Sequence, residues 1–162
     1  MVPAAFVPGV YDRQAPGTDR YTGCVILSAT SHIVIPAQLD AVPGVALEIE
    51  QFMKAAGFSD QQVLDMQLAV EEAITNTIRH GYCGSPGTIT IHGKAGPDLL
   101  TVEITDHAPA FNPLCTPDPD ITLSLEKRKT GGLGVYLIRR VTDTVEYRYE
   151  PGKNILTLTK KK

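Results

Sequence analysis

The sequence lacks the features that mark membrane-spanning, secreted and metal-stapled proteins. No apolar run approaches the about 18 residues that a transmembrane helix needs. The first residues show no basic stretch followed by an apolar one, so no secretory signal is expected. The three cysteines, Cys24, Cys83 and Cys115, are widely spaced without a CxxC pair, which argues against a zinc site or a disulfide framework. We therefore expect a cytoplasmic protein with reduced thiols and no membrane partner.

An excess of positive charge is also lacking. The chain has 15 Lys and Arg against 18 Asp and Glu, a formal net charge of −3 at pH 7. This balance argues against direct nucleic-acid binding through bulk positive charge. The 162 residues, 43% of them hydrophobic, are enough for one domain that buries a core without disulfides or metals. The basic residues 160–162 are expected to form a solvated tail.

The order of predicted elements indicates an α+β fold. Residues 1–30 are rich in proline and glycine, so we predict an extended N-terminal arm there and a domain over residues 31–162. Ser59 and Gln62 form a capping-box pattern at the start of the second helix, and Gly81 is expected to end it. The predicted helices cover residues 42–56, 60–80 and 133–141, and the predicted strands cover residues 31–36, 88–92, 99–105, 144–149 and 155–159. Strands gathered beside helices predict a two-layer α/β sandwich, with a mixed, mostly antiparallel sheet and a helical layer.

A carboxylate and a carboxamide stand four residues apart on the second predicted helix. Glu72 and Asn76 therefore project from one face, and His80 lies a further turn along it. This pairing suits a general base beside a ligand for Mg²⁺, which prefers oxygen donors and keeps phosphate oxygens and waters around it. Taken alone, the same residues also suit a polar helix face in water, with His80 interacting with the helix dipole.

Two further features follow along the chain. Asp106 comes directly after a strand, where its carboxylate suits a hydrogen bond from an exocyclic amine such as that of adenine; an Asx turn is the simpler alternative. Gly131, Gly132 and Gly134 stand at the start of the third helix, where they suit either phosphate oxygens or a flexible hinge. Residues 106–130 contain four prolines and are long enough to form a lid.

Taken in order, these residues resemble three motifs of the histidine kinase-like (GHKL, or Bergerat-fold) ATPases. Residues 72–82 are similar to the N box of that family, residues 106–113 to its G1 box and residues 130–138 to its G2 box. The His-Gly-Tyr triplet at positions 80–82 makes the N box most similar to that of RsbW-like anti-sigma-factor serine kinases. The resemblance therefore implies the Bergerat ATP-binding fold.

The resemblance also implies a role for each matching residue. Glu72 would be the general base, Asn76 would bind the Mg²⁺ that bridges the ATP phosphates, and Asp106 would accept a hydrogen bond from the adenine amino group. Backbone amides of residues 132–134 would contact the phosphates beneath a lid. The residues that the resemblance assigns to nucleotide binding are Asn76, His80, Asp106, Ala108, Phe111, Lys129, Thr130, Gly131, Gly132, Leu133 and Gly134.

The function implied by the resemblance is that of an ATP- and Mg²⁺-dependent serine/threonine protein kinase. In that family, an unphosphorylated STAS-type antagonist binds the kinase and frees a sigma factor, and phosphorylation reverses this partner switch. A homodimer is also implied. The G1 box has Ala108 and Ala110 where the family usually has glycine, which brings a methyl group near the adenine site and keeps a non-catalytic ATP/ADP-binding module as the alternative. A sensor histidine kinase would need an upstream helix with a phospho-accepting histidine, and a topoisomerase- or chaperone-type ATPase would need further domains.

Overall fold

An antiparallel sheet forms one layer of the domain. The computed structural model describes residues 28–115, 117, 119 and 132–162. The strands within these residues are β1 (Ala29–Pro36), β2 (Thr88–Ala95), β3 (Leu99–Asp106), β4 (Thr144–Glu150) and β5 (Lys153–Lys161). They lie in the order β1-β2-β3-β5-β4, and each of the four pairings is antiparallel. The last strand therefore lies between β3 and β4, directly beside Asp106.

Helices cover one face of this sheet. They are α1 (Val42–Ala55), α2 (Asp60–Asn76) and α3 (Leu133–Val141), and α2 lies between the other two. Alternate residues of the strands face the helices, so that Ile89, Ile91, Leu100 and Val102 are fully buried in the same core as the apolar faces of α1 and α2. Removal of this apolar surface from water holds the two layers together. The predicted α+β sandwich is confirmed.

Local signals set the boundaries of the first two helices. Pro43 lies in the first turn of α1, where its missing N–H has no partner to lose. The predicted capping box is present at the start of α2. Ser59 Oγ accepts a hydrogen bond from the Gln62 N–H (3.4 Å), and Gln62 Oε1 accepts one from the Ser59 N–H (2.9 Å).

The end of α2 differs from the prediction. The helix does not stop at Gly81 but continues beyond Asn76 as a π-helical turn, Thr77–Tyr82. The Cys83 N–H donates to Ile78 O at 3.2 Å, the i→i+5 spacing of such a turn. Cys83 is itself the left-handed residue that ends the helix, with φ 50°, where the sequence had suggested glycine. Because the turn contains one extra residue, the side chains in its second half point in other directions than they would in a continuous α-helix.

The predicted basic tail is not free of the fold: Lys161 and Lys162 are exposed, but β5 continues through Lys161, and Lys160 and Lys162 contact the helices. Lys160 Nζ donates to Asp65 Oδ2 of α2 (2.8 Å) and to Val141 O at the end of α3 (2.7 Å). Lys162 Nζ donates to Ala56 O just beyond α1 (2.6 Å). These ammonium groups satisfy carbonyls at the C-terminal ends of two helices, where the helix dipole favours positive charge. The lysines therefore join the last strand to the helical layer.

Two predicted segments lie largely outside the described residues. Of the predicted arm, residues 1–27 fall outside them, and β1 begins at Ala29. Of the predicted lid, the described part includes a short 3₁₀ turn, Pro113–Cys115, whereas residues 116, 118 and 120–131 fall outside. Among the helices that the structure describes, none has both the length and the apolar character to span a bilayer.

Candidate functional site

A cleft opens where the end of α2 meets strands β3, β4 and β5. The space along its walls amounts to about 350 Å³, including open solvent at the mouth. The residues that line it are Asn76, Thr77, Gly81, Ile104, Asp106, Phe111, Pro113, Tyr147, Asn154 and Leu156. Apolar walls with a few convergent polar groups are typical of a small-molecule site. The structure thus brings three of the predicted residues, Asn76, Asp106 and Phe111, into one cleft.

A carboxylate, an amide and a glycine meet where α2 packs against the start of α3. A Cβ atom on Gly134 would collide with Glu72 Oε2 and would lie 3.4 Å from Asn76 Nδ2, so a side chain at that position would require the Glu72 carboxylate to move. Asn76 Nδ2 is buried and has no hydrogen-bond partner within the described residues. A buried donor without an acceptor is costly. A phosphate oxygen of a bound nucleotide would satisfy it.

The start of α3 adds backbone donors beside these side chains. Gly132 is the N-cap residue, and its φ of 82° is a left-handed conformation that favours glycine. Leu133 begins the helix with its side chain exposed. The first N–H groups of a helix have no partner within it, and with the dipole they favour an anion. Lys129, Thr130 and Gly131, also assigned to nucleotide binding by the resemblance, lie outside the described residues.

The π-helical turn decides which residue follows Asn76 toward the cleft. In an α-helix that residue would be His80, four positions on, as the sequence predicts. With one extra residue in the turn, Gly81 takes this place and lines the cleft. His80 is exposed, and its ring centroid lies 6.0 Å from that of Phe111, with the rings tilted by 35°. His80 therefore lies against a lining residue instead of facing the cleft itself.

Asp106 is the last residue of β3 and is only 6% exposed. Its Oδ1 accepts a hydrogen bond from the Ala108 N–H (2.9 Å), so the Asx turn considered as the simpler interpretation is present. The same oxygen accepts a second hydrogen bond from Asn154 Nδ2 (2.8 Å). Oδ2 accepts none within the described residues. One carboxylate can therefore form the turn and still offer an acceptor to a ligand.

Ala108, which replaces a glycine of the G1 box, packs away from the cleft. It is 4% exposed and is not among the residues that line the cleft. A Cβ atom on Gly81 would lie 3.2 Å from the Ala108 methyl carbon, so the missing side chain at position 81 provides the room for that methyl. The extra methyl group is thus accommodated within the wall.

Two lining residues, Tyr147 and Asn154, were not found by sequence reasoning. Tyr147 Oη donates to Asn154 Oδ1 at 2.7 Å. Burial raises the pKa of Tyr147 and the negative charge of Asp106 raises it further, which keeps the hydroxyl protonated. Asn154 lies directly opposite Asp106 in the β3–β5 pairing. The available signal was an asparagine next to two apolar residues in a strand, but no local pattern indicates which strand that segment pairs with.

The loop after β3 is held from two sides. Tyr82, in the π-helical turn, donates from Oη to Thr88 O (2.7 Å) and accepts from the His107 N–H (3.1 Å). On the other side, Arg139 of α3 donates to Leu114 O (2.6 Å). These contacts fix the loop relative to both α2 and α3, so the residues around Asp106 are positioned before any ligand binds.

The residues present fit a magnesium ion that is bound together with a nucleotide. Within the described ranges, no group of three or more His, Cys, Asp or Glu side chains is arranged to hold a metal by itself. Mg²⁺ commonly takes one or two protein oxygens and completes its shell with phosphate oxygens and waters. The side-chain oxygen of Asn76, beside the Glu72 carboxylate, suits this mode.

Comparisons with known proteins agree with this geometry. Residues 35–160 match the histidine kinase-like ATPase domain family. The serine-protein kinase RsbW of Listeria monocytogenes is 31% identical over 137 residues, which cover 79% of this chain and 87% of that protein. RsbW of Listeria innocua is 33% identical over 138 residues, with the same coverage. RsbW of Bacillus mycoides is 29% identical over 126 residues, covering 75% of this chain and 79% of that protein.

A solved structure shares the fold. The structure of the RsbU and RsbW domains of Rv1364c from Mycobacterium tuberculosis superposes with a TM-score of 0.56 and 16% sequence identity. The match covers 81% of this chain and 32% of that one. The fold, the three motifs and the sequence relatives define the class, as the sequence predicted. This chain belongs to the histidine kinase-like ATPase domain family and, within it, to the RsbW group.

Proposed function

We propose that this chain is a cytoplasmic, ATP-dependent serine/threonine protein kinase and an anti-sigma-type regulator. Its substrate is a serine or threonine hydroxyl on a STAS-type antagonist protein. A sigma factor and a second copy of the chain are its other partners. The observation that carries the proposal is the meeting of Glu72, Asn76 and Gly134 at the start of α3, where Asn76 also lines the cleft that contains Asp106. The serine-protein kinase names of its relatives support the reaction type.

The residues divide the work of phosphoryl transfer between them. Asp106 Oδ2 accepts a hydrogen bond from the adenine amino group, while Asn76 Nδ2 and the first N–H groups of α3 bind phosphate oxygens. The Asn76 side-chain oxygen would hold a Mg²⁺ ion together with the phosphates, and the bound ion would supply neutralisation of negative charge. The oxygen of the attacking serine or threonine hydroxyl forms a bond to the γ-phosphorus, and Glu72 accepts the proton of that hydroxyl. The bond from that phosphorus to the β,γ-bridging oxygen breaks, and ADP leaves.

Mass spectrometry of a candidate STAS protein tests the proposal. After incubation with Mg-ATP and this chain, we expect one added phosphoryl group. Glu72→Gln should lower the transfer rate about 100- to 10,000-fold, the range for removal of a general base, while ADP affinity is retained. Glu71→Gln is the matched control, because this adjacent carboxylate leaves the helix in another direction, and transfer should be retained.

Each other outcome separates the alternatives. Transfer at the wild-type rate in the Glu72→Gln variant would contradict the assignment of the base. Steady release of free phosphate without transfer would indicate an ATPase. Neither transfer nor phosphate release, with ADP still bound in calorimetry, would support a non-catalytic nucleotide-binding module.

A further inference from the structure

The side chain of Asn154 is the centre of a buried hydrogen-bond network in the cleft. The residue is 4% exposed. Its Nδ2 donates to Asp106 Oδ1 (2.8 Å), to Ala108 O (3.0 Å) and, more weakly, to Pro109 O (3.4 Å). Its Oδ1 accepts from the Phe111 N–H (3.2 Å) and from Tyr147 Oη (2.7 Å). Every hydrogen-bonding position of the amide is therefore used within the protein.

The orientation of this amide is set by neighbours that can play only one role. The Phe111 backbone N–H can only donate, so it must face the oxygen of the amide. The Ala108 carbonyl can only accept, so it must face the nitrogen. These two contacts direct an N–H of Asn154 toward Asp106 whatever the starting assignment of the amide atoms.

The consequence falls on the Asp106 carboxylate. Its Oδ1 receives two donors, the Ala108 N–H and Asn154 Nδ2. A carboxylate only accepts hydrogen bonds, so the two donors on Oδ1 fix its orientation, and Oδ2 is the oxygen left for a ligand. A carboxylate oxygen held in this way matches an amino group and opposes a carbonyl, because two acceptors facing each other cannot form a hydrogen bond.

We propose that Asn154, supported by Tyr147, determines the base selectivity of the cleft. By holding the Asp106 carboxylate in one orientation, it directs the acceptor Oδ2 so that the site accepts a 6-aminopurine nucleotide and rejects a 6-oxopurine nucleotide. Asn154 is a positioning residue, since it acts on the base through Asp106. The inference rests on the proposed function, that is, on the binding of an adenine nucleotide in this cleft.

Tyr147 supports the network from behind. Its single hydroxyl proton is directed to Asn154 Oδ1, and the raised pKa of Tyr147, caused by burial and the nearby Asp106 charge, keeps that proton in place. Without it, the amide oxygen retains only the longer bond from the Phe111 N–H. The amide would then be held less firmly against Asp106.

The test compares the affinities of Mg-ADP and Mg-IDP by calorimetry. Inosine has a 6-oxo group where adenosine has the 6-amino group. We expect the wild-type chain to prefer ADP by at least about tenfold, the lower end for one hydrogen bond to a charged group. In Asn154→Ala we expect a lower ADP affinity and an IDP affinity within about threefold of wild type. The ratio of ADP to IDP affinity should then be about three or less.

Tyr147→Phe is the milder variant and keeps the amide. It should reduce the ADP preference by about threefold or more. Tyr149→Phe is its matched control on the same strand. Among the described residues, the Tyr149 hydroxyl accepts from the Gly152 N–H at the hairpin turn (3.0 Å) and has no bond to Asn154, so the ADP preference of this variant should equal that of wild type.

The ratio of ADP to IDP affinity distinguishes a positioning role of Asn154 from a merely structural one. Equal loss of ADP and IDP affinity in Asn154→Ala would mean a structural role only and would overturn the inference. If that variant fails to fold, an unchanged ADP preference in Tyr147→Phe overturns it instead. A wild-type chain that binds neither nucleotide would contradict the proposed function as well, whereas a preference retained in both variants would contradict this inference alone.

Discussion

At the scale of single residues, Gly81 and Ala108 share the space of one methyl group. The two come from segments 27 positions apart in the chain, and they meet where the π-helical turn passes the loop after β3. The glycine leaves the room that the alanine fills. The departure of the G1 box from its usual glycine is therefore compensated locally, which supports an intact cleft.

Replacing Gly81 by alanine should reveal this packing. Overpacking typically costs about 1–3 kcal/mol, against a gain of about 0.5–1 kcal/mol from removing a glycine within a helix. We expect G81A to lower the free energy of unfolding in urea and to weaken ADP binding. Ala108→Gly, added to G81A, should recover both. If the effects of the two substitutions on the free energy of unfolding are additive, the coupling energy is zero, and this would contradict the packing argument.

At the scale of elements, Lys160 joins three of them. From β5 it reaches Asp65 on α2 and the last carbonyl of α3, so one ammonium group ties the final strand to two helices. Both charged side chains are mostly buried, with 16% of Lys160 and 21% of Asp65 exposed. Such a pair is screened by water less than the exposed pairs elsewhere on the surface.

The pair predicts how stability depends on pH. Burial acts to raise the pKa of Asp65, but hydrogen bonds from Lys160 and Gln61 and the Lys160 charge outweigh it, so that pKa is lowered. A carboxyl with a lowered pKa in the folded state stabilises it at neutral pH, and this contribution is lost as the pH falls below about 4. We expect Asp65→Asn to lose about 1 kcal/mol at pH 7 and to show a smaller further loss than wild type at pH 3. Urea unfolding at several pH values measures both.

The control for this prediction is the exposed pair between Glu50 and Lys54 on α1. Because both partners are open to solvent, Glu50→Gln should change stability less than Asp65→Asn. If the free energy of unfolding falls equally steeply below pH 4 in Asp65→Asn and in wild type, the Asp65 carboxyl contributes nothing to the loss of stability in acid.

Elements with local signals could be predicted from the sequence, and those that depend on distant contacts could not. The Ser59–Gln62 capping box and strand alternation placed α2, β2 and β3 within a few residues. The π-helical turn has no such signal, so the side chain expected toward the cleft was one position too early. Asn154 was missed for a similar reason, because its role comes from the pairing of β5 with β3. The lysines at the end were misread because their acceptors are far away in sequence.

At the scale of the whole molecule, the cleft lies on the boundary between the two layers. Its lining comes from the end of α2, from β3, β4 and β5, and from the loop after β3. A nucleotide bound in this position would contact segments that are distant in sequence. Binding should therefore stabilise the whole domain and not one loop alone.

Thermal unfolding with Mg-ADP tests this expectation. At a free concentration of about 100 times Kd, binding adds about 2.7 kcal/mol to the free energy of unfolding. For a domain of this size, that corresponds to a rise in Tm of about 5–10 °C. Mg²⁺ with inorganic phosphate is the control and should give a smaller rise, since it lacks the base. Hydrogen exchange should show protection in residues 76–82 and 106–111, and protection confined to one of these segments would contradict a ligand that bridges them.

The π-helical turn, Thr77–Tyr82, places two parts of one helix on different phases. Asn76 keeps the phase of α2, and Gly81 keeps a phase that is displaced by one residue. A substitution on one side of the turn therefore leaves the helical periodicity of the other side unchanged. The displacement of the phase depends on the number of residues in the turn and not on which residues they are. Deletion of a single exposed residue within it, Arg79 for example, would place Gly81 four positions after Asn76, so that an uninterrupted α-helix would keep the glycine facing the cleft.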